Sequence, residues 1–369
     1  MSVWKTLLET AIYAPSPHNV QPWRLRIVSN ESADLLIEKR RTLPKEDPTG
    51  SFIILTMGIF IEALRILAAN RSLKLNYQLY QSQSQFTPEH IAKAAVDLLP
   101  YARLTLGPGE QTREIALANG AVSRNEAGMP SLNHAQFESE TDELRNSKYD
   151  DSLFLTRRTS RISFLPRGLP DEAIETLSNL AHAWGHTYKQ VTEPDIIERI
   201  LNCNIEALFE DLNAPDYHDE IVGWFRFTDR AARRNRDGLD YRCMNSSRIS
   251  FWLAARLPKL LQLPVVRPIL KRIYRRQLGN VPTVGFLAGP FWRPESAFET
   301  GRFLMRFWLE LAKRDLYIHP YGNLVTNKAA SEWCLQTFRI SEIWLVFRIG
   351  FSKAPPQSYR RSVEEVLVD

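Results

Sequence analysis

Cysteine is scarce in this 369-residue chain, and long apolar runs are missing. The three cysteines, Cys203, Cys243 and Cys334, are widely separated, so they offer neither a disulfide framework nor the paired spacing of a metal site. We find no uninterrupted apolar run of membrane-spanning length and no charged-then-apolar leader, because Lys5 and Glu9 make the first segment too polar. These absences predict a reduced, cytoplasmic protein without a metal.

The composition is that of an ordinary globular protein, with 44% hydrophobic and 24% charged residues. A chain of this length holds one large or two ordinary domains with substantial cores. We find no motif for an amino-acid nucleophile and no recognised nucleic-acid-binding module. The sequence therefore predicts no nucleic-acid partner.

The run from Ala14 to Trp23 reads APSPHNVQPW and lies between a helical stretch and an apolar strand. Prolines hold the backbone extended and remove hydrogen-bond donors. We therefore expect the neighbouring polar side chains to remain free to contact the edge of a flat polar ring. Those side chains are Ser16, His18, Asn19 and Gln21.

This run resembles the flavin-contacting loop of nitroreductase-type flavoenzymes, which usually reads S-x-x-N-x-Q-P-W. Ser16, Asn19, Gln21, Pro22 and Trp23 occupy the defined positions. The resemblance implies that residues 14–23 contact the ring of flavin mononucleotide (FMN). The implied cofactor contacts are Ser16, Pro17, His18, Asn19 and Gln21.

A second segment, TRRTSRISF at residues 156–164, resembles the R-R-S-x-R-x-F segment that holds the FMN phosphate in the same enzymes. The resemblance implies that Arg158 and Ser160 are phosphate ligands, with Arg157 and Arg161 as neighbours. The chemistry agrees, because guanidinium groups match phosphate oxygens and hydroxyls complete the shell. The alternative is an ordinary solvated basic stretch.

The carboxyl-terminal segment RIGFSKAPPQSYRRSVEEVLV resembles the closing segment of the family. There, a strand and a proline-rich turn are followed by basic residues that return to the phosphate. The resemblance makes Arg360 and Arg361, in a carboxyl-terminal arm at 350–369, further phosphate ligands.

The order of these segments differs from the usual one, in which the phosphate segment comes first. The order predicts a fused branch with two nitroreductase-like halves in one chain, 1–145 and 146–369, either a monomeric pseudo-dimer or a homodimer. A weak repeat supports this: Gly58–Tyr80 parallels Gly301–Gly322, since both segments start on glycine, have apolar residues at helical spacing and end in a polar break before a short hydrophobic stretch. Only one complete flavin site is expected per chain.

The hydrophobic periodicity predicts an α+β protein in which each half has a mixed or antiparallel sheet wrapped by helices. Residues 107–150 are polar and turn-rich, so we predict a connection between the halves there. The predicted helices are 2–14, 51–70, 170–184, 193–213, one after Gly301, and 326–338. The predicted strands are 23–28, 35–38, 73–80, 101–106, 283–289 and 343–350.

Positive charge is concentrated in residues 221–276, which carry fourteen Lys or Arg against three Asp. Three uses of this segment remain open: a lid over the flavin that also attracts NAD(P)H, a contact with anionic membrane through 256–276, and a solvated basic surface. The family resemblance favours the lid.

Residues 317–327, YIHPYGNLVTN, follow the second-half helix. Nitroreductases place a turn there whose backbone amide points at the reactive flavin nitrogen. The resemblance makes Tyr321 and Gly322 the backbone candidates. His319 is a candidate proton donor with a pKa near neutrality, and His18 is the second candidate catalytic residue.

The resemblance implies an FMN-dependent oxidoreductase that passes electrons from NAD(P)H to a conjugated or aromatic acceptor, or dehydrogenates a small-molecule substrate. The alternative is a protein that sequesters FMN behind its lid with little turnover. A third interpretation is an α+β interaction protein without flavin. The colour of the purified protein tests this third interpretation, because a flavoprotein is yellow.

Overall fold

The computed structural model describes residues 2–109, 148–256 and 263–369, and it contains both helices and strands. The α+β class is therefore confirmed. The helices in these ranges are Val3–Ala11 (α1), Ser51–Ala69 (α2), Pro88–Lys93 (α3), Ser152–Thr156 (α4), Asp171–Ala183 (α5), Pro194–Asp211 (α6), Pro215–Gly223 (α7), Asp229–Asn235 (α8), Arg248–Arg256 (α9), Val266–Leu278 (α10), Pro294–Lys313 (α11), Asn323–Thr326 (α12), Lys328–Phe338 (α13) and Val363–Val366 (α14).

The strands form two large sheets and one small pair. They are Trp23–Ile27 (β1), Ser32–Glu38 (β2), Leu73–Leu79 (β3), Leu98–Pro108 (β4), Thr187–Val191 (β5), Phe225–Arg226 (β6), Leu239–Asp240 (β7), Thr283–Ala288 (β8), Tyr317–Pro320 (β9), Ile343–Gly350 (β10) and Leu367–Val368 (β11). The first sheet has the order β11-β1-β2-β4-β3, the second has the order β5-β8-β10-β9, and β6 pairs with β7.

The two large sheets repeat one topology. In each, two antiparallel strands precede a long helix and two further antiparallel strands follow it: β1, β2, α2, β3, β4 in the first, and β5, β8, α11, β9, β10 in the second. The first sheet gains one extra strand, because β11 at the carboxyl-terminal end pairs in parallel with β1.

The long helices α2 and α11 cross at matched glycines. A Cβ added to Gly58 would lie 2.2 Å from the carbonyl oxygen of Phe298, and one added to Gly301 would lie 2.1 Å from that of Leu55. Each helix thus offers a glycine to the other's backbone, in the reciprocal manner of a two-fold contact. The first helix begins at Ser51, as predicted, whereas the helix predicted after Gly301 begins earlier, at Pro294, and both glycines mark the crossing.

Matching turns follow the two helices. Ser72 has a φ of 56° and Asp315 has a φ of 55°. In both turns the amide of this residue donates to a carbonyl three residues earlier, that of Ala69 at 3.0 Å and that of Ala312 at 3.2 Å. Each turn leads directly into the third strand of its sheet.

One large hydrophobic cluster runs through both parts of the chain, from Trp4 and Trp23 to Phe303, Trp344 and Val366, and smaller clusters lie in the second part. The helix α2 lies in its centre. By length and composition it is the one helix within the described ranges that is apolar enough to cross a membrane, but its residues are mostly buried inside the protein. It is accounted for as a core helix.

Two predictions concern segments that connect the elements, the polar connection at 107–150 and the basic segment 221–276. Of the connection predicted at 107–150, residues 110–147 lie outside the described residues. The basic segment 221–276 forms α8, α9, α10 and the β6–β7 pair between β5 and β8, so it is inserted into the second sheet's strand order. The domain boundary near 145 stays a prediction.

Candidate functional site

The loop 14–23 has an unusual backbone. His18, Asn19 and Gln21 have φ angles of 47°, 55° and 52°, a region that non-glycine residues rarely occupy. The Ser16 hydroxyl accepts a hydrogen bond from the Gln21 amide at 3.0 Å, and Trp23 stacks on Phe60 with ring centroids 4.5 Å apart. The loop is therefore held in a strained shape from both ends, a pattern typical of functional sites.

The side chains of Asn19 and Gln21 are buried and hydrogen-bonded to protein. Asn19 Nδ2 donates to the carbonyls of Tyr359 at 3.0 Å and Gly238 at 3.2 Å, and Gln21 Nε2 donates to that of Arg236 at 2.9 Å. The expectation that these amides remain free is therefore wrong, because they donate hydrogen bonds to backbone carbonyls of two distant segments. The loop is the junction between the basic segment and the carboxyl-terminal arm.

Arg361 also has a different neighbourhood from the predicted one. Its guanidinium is buried, pairs with Glu38 at 3.0 Å and donates to the carbonyl of Trp23 at 2.7 Å. Burial opposes ionisation of Glu38, but the surrounding arginines, Arg24 and Arg40 first, lower its pKa to about 2. Arg361 shares this carboxylate with Arg24, Arg40 and Arg41, so it has a structural contact in this place, and its role as a phosphate ligand stays a prediction.

Arg157 is a buried cation and Arg360 is a half-buried one, near enough for the charge of Arg360 to act on Arg157. Burial, together with the charges of Arg360 and Arg158, lowers the pKa of Arg157 to about 9, and burial lowers that of Arg360 to about 10. The Nε atoms of both have no hydrogen-bond partner among the described residues. Within residues 2–109, 148–256 and 263–369, no carboxylate lies within ion-pair distance of either. Two desolvated cations with unused donors fit an anion such as a phosphate group.

These two arginines connect the three segments found in the sequence. Arg157 donates to the carbonyl of Tyr13 at 3.0 Å and lies 4.6 Å over the ring of Trp308, while Arg360 donates to Asn19 Oδ1. The start of the loop, the segment 156–164 and the carboxyl-terminal arm therefore meet at one place, although more than a hundred residues separate them in sequence.

The remaining residues of the segment 156–164 extend this region. Ser160 is buried, its amide donates to the carbonyl of Ile318 at 2.9 Å, and its hydroxyl lies 2.9 Å from that of Ser352. Arg158 donates to the carbonyl of Pro355 at 2.8 Å. The segment thus runs beside β9 and against the arm, where its hydroxyl and guanidinium adjoin the pair Arg157 and Arg360.

Arg348 was missed in the sequence analysis. It is fully buried in β10, opposite His319 of β9, and its guanidinium donates to the carbonyl of Ile162 at 3.2 Å. Burial lowers its pKa, and its Nε has no partner. The available signal was the lone charge within the apolar strand IWLVFRIG, since a buried arginine in a strand needs a reason.

His319 is a neutral imidazole in this environment. Burial, helped by the charges of Arg348 and Arg161, holds its pKa well below 6.5. The prediction of a pKa near neutrality is therefore wrong, and His319 lacks the proton that an imidazolium donor would need at pH 7. Its Nδ1 is buried without a partner, so a neutral hydrogen-bonding role at this atom is open.

The Tyr321 amide is already used by the sheet, because it donates to the carbonyl of Val346 at 2.7 Å. The expectation that it points at a flavin is corrected accordingly. A Cβ on the next residue, Gly322, would meet no atom within 4 Å, so space exists beside that glycine. His18 Nε2 lies 2.9 Å from Glu46 Oε2, and its contact with ring or substrate stays a prediction.

Two surface grooves lie elsewhere in the second part of the chain. One of about 400 Å³ is bordered by Cys203 and Trp333, and one of about 390 Å³ is bordered by Arg167 and Asn280. None of the site residues predicted from the sequence lines either groove. The candidate site is therefore defined by its buried cations and its converging segments.

No family model matches the chain. Two uncharacterised proteins of Mycobacterium tuberculosis, from strains CDC 1551 and H37Rv, are each 28% identical over 114 residues. The match covers 30% of this chain and 32% of each relative, about a third of its length.

Solved structures of nitroreductases are similar at low scores. A nitroreductase-like family protein from Bacillus cereus has a TM-score of 0.34 and 14% identity, over 65% of this chain and 96% of that one. An FMN-dependent nitroreductase from Mycobacterium smegmatis in complex with NADPH has a TM-score of 0.32 and 14% identity, over 60% and 96%. A putative nitroreductase from Anabaena variabilis has a TM-score of 0.33 and 11% identity, over 96% and 74%. Scores at this level do not assign the chain to a family.

Proposed function

We propose that this protein binds FMN and is an FMN-dependent oxidoreductase of the nitroreductase type. The observation that carries the proposal is the pair Arg157 and Arg360. Arg157 is buried and Arg360 is half-buried, the Nε donor of each has no partner among the described residues, and the charges that act on Arg157 are those of other arginines. Keeping such a pair without an anion is unfavourable, which supports an anion site beside them.

The same residues belong to segments that the sequence relates to FMN binding. Arg157, Arg158, Ser160 and Arg360 would hold the phosphate through charge-assisted hydrogen bonds. The loop 14–23 would lie against the ring, with its side-chain amides contacting the flavin only after they leave the carbonyls that now accept from them. Bound FMN would supply the electron transfer from NAD(P)H to a conjugated or aromatic acceptor, or the dehydrogenation of a small molecule.

The residues of the chain would contribute binding and electrostatics. The cations of Arg161 and Arg348 would stabilise negative charge near β9 and β10. His319 is neutral at pH 7, so it would act as a hydrogen-bonding group rather than as an acid. Asn19 and Arg360, which are hydrogen-bonded to each other, would couple the ring side of the site to the phosphate side.

We further propose that the chain is a fused pseudo-dimer with one flavin site. Support comes from the repeated strand topology, the reciprocal glycine contacts and the matching turns after α2 and α11. The halves differ where the site lies. Residues 12–22 separate α1 from β1, whereas only 184–186 separate α5 from β5, so the second half has no counterpart of the flavin-contacting loop.

Sequestration of FMN with little turnover is the second candidate function. It is favoured by the way in which backbone carbonyls of Arg236, Gly238 and Tyr359 cover the side chains of the loop. If these carbonyls must move away before NAD(P)H can reach the flavin, reduction of the flavin would be slow. The basic segment 221–276 would then act as a closed lid, and localisation in the cytoplasm is part of the same proposal.

Anaerobic stopped-flow absorbance distinguishes the two functions. The protein is loaded with FMN, mixed with NADH or NADPH, and the bleaching of the flavin band is followed. Fast bleaching is the expected result and identifies a reductase. A yellow protein that does not bleach supports sequestration, and a colourless protein that takes up no FMN contradicts both.

Replacing Arg360 by Gln should weaken FMN binding by about 2 kcal/mol, roughly thirtyfold, because a charge-assisted bond to the phosphate is lost. Arg158→Ala should act in the same direction. Titration of apoprotein with FMN, followed by quenching of flavin fluorescence, measures the dissociation constant. Arg234→Gln, at an exposed arginine of α8, is the matched control and should leave it unchanged. Equal affinity of Arg360→Gln and the control would remove Arg360 from the site.

A further inference from the structure

The two helices α9 and α10 of the basic segment carry apolar side chains on their outer surfaces. Of the fifteen large apolar side chains that are exposed within the described ranges, seven lie between residues 249 and 273. On α9 they recur at helical spacing. The same spacing holds on α10 together with Val265, the residue directly before it. They are Ile249, Trp252, Leu253, Leu263, Val265, Ile269 and Ile273.

These side chains are not needed to attach the helices, because each helix has a separate inner face. On α9, Phe251 is buried and packs against Phe225 with ring centroids 4.4 Å apart, and the carbonyl of Ala255 lies 2.6 Å from His218 Nε2. The outer residue Ile249, in contrast, is 73% exposed.

The inner face of α10 also packs against the rest of the protein. Leu278 is buried in the core of the second half, and Leu270 packs against a cluster that contains Phe209. Arg267 pairs with Glu206 at 2.5 Å, which fixes the helix to α6. The exposed stripe formed by Val265, Ile269 and Ile273 therefore has no partner within the described residues, and core packing does not explain it.

The charged residues of α9 and α10 themselves are all basic, and four of them pair with carboxylates of α6 and α8. No Asp or Glu occurs between Asp240 and Glu295. Arg272 and Arg276 lie beside Ile269 and Ile273 on α10, are exposed, and have no carboxylate within ion-pair distance among the described residues. Hydrogen bonds between Asn245 and Gln277 tie the chain before α9 to the end of α10, so both stripes belong to one unit.

We propose that this unit, α9 with α10, docks on the surface of a membrane that contains anionic lipid. Isoleucine, leucine and tryptophan beside unpaired arginines are the combination that an interfacial helix uses, with apolar side chains among the acyl chains and guanidinium groups at the headgroups. A second copy of this chain is a poor occupant, because a two-fold contact would bring like charges together. The proposal is independent of flavin binding.

Flotation with lipid vesicles tests the proposal on the full chain. The probes are vesicles of phosphatidylcholine alone and of phosphatidylcholine mixed with phosphatidylserine. We expect binding to the mixed vesicles at low ionic strength, little binding to phosphatidylcholine alone, and release by added salt. Arg272→Gln with Arg276→Gln should weaken binding by roughly fivefold for each arginine removed.

The apolar contribution is tested by Ile269→Ser with Ile273→Ser, which should reduce binding by at least about tenfold. Val96→Ser with Leu335→Ser changes two equally exposed apolar residues elsewhere and should have no effect. Equal thermal stability of the variants shows that the fold is kept. Failure to bind anionic vesicles, or binding that both double variants retain, would overturn the proposal. Self-association that Ile269→Ser with Ile273→Ser abolishes would instead identify a second copy as the occupant.

Discussion

Substitution of Glu62 by Gln is expected to lower the free energy of unfolding by about 3–5 kcal/mol, because it removes the charged partner from a buried ion pair. Glu62 lies in α2 and is fully buried. Its carboxylate is 2.9 Å from Arg302 and 2.6 Å from Arg306, both in α11. Glutamine has nearly the same volume, so the loss reports charge rather than a cavity.

Chemical denaturation monitored by tryptophan fluorescence measures this effect. Burial raises the pKa of Glu62, but Arg306, Arg302 and Arg65 outweigh it and the pKa is lowered, so the carboxylate is ionised at neutral pH. Glu89→Gln is the matched control, since Glu89 forms an exposed pair with Lys93 at 2.5 Å and such pairs contribute little. A loss for Glu62→Gln as small as that of the control would refute this account of the helix crossing.

Substitution of Gly301 by Ala should lower the free energy of unfolding by about 2–3 kcal/mol. The new methyl would lie 2.1 Å from the carbonyl oxygen of Leu55, so the two helix backbones must separate. Alanine favours a helix by up to about 1 kcal/mol over glycine, and the net loss expected here is what remains after that gain. Gly58→Ala should behave alike, because the contact is reciprocal.

The control for this pair is Gly223→Ala at the end of α7, where a Cβ meets no atom within 4 Å. It should be neutral or slightly stabilising. Thermal unfolding of the three variants side by side provides the measurement. A Gly301→Ala variant at least as stable as Gly223→Ala would contradict the prediction, because the two helices would then separate without any loss of stability.

Local sequence patterns predicted most of the elements that form the two sheets. The apolar helix at 51–70, the alternation in Trp23–Val28 and the run at 343–350 depend on side chains close in sequence, and the structure has elements at each place. The role of the two glycines was not predictable, for a physical reason. A glycine within an apolar helix shows the same local pattern whether or not another backbone packs against it, and only the position of the second helix distinguishes the two cases.

The candidate site was predictable in its segments and not in its contacts. The motifs at 14–23 and 156–164 indicated which segments matter, and the structure brings Asn19 and Arg360 together. Gln21 has partners within its loop, but its side chain is also bound by Arg236 and Arg361, and no local pattern indicates these distant partners. The protonation state of His319 depends on its burial and on Arg348 of a neighbouring strand. Neither can be read from the composition of the sequence.

The pairing of β11 with β1 has a consequence for synthesis. Leu367 lies opposite Leu25 in the first sheet, so the edge beside β1 stays open until nearly all of this chain has left the ribosome. Throughout that time Asn19 and Gln21 lack the arm that accepts or donates their hydrogen bonds, and water must serve instead. Residues 359–368 therefore complete the packing around β1 and the loop 14–23, long after those segments have been synthesised.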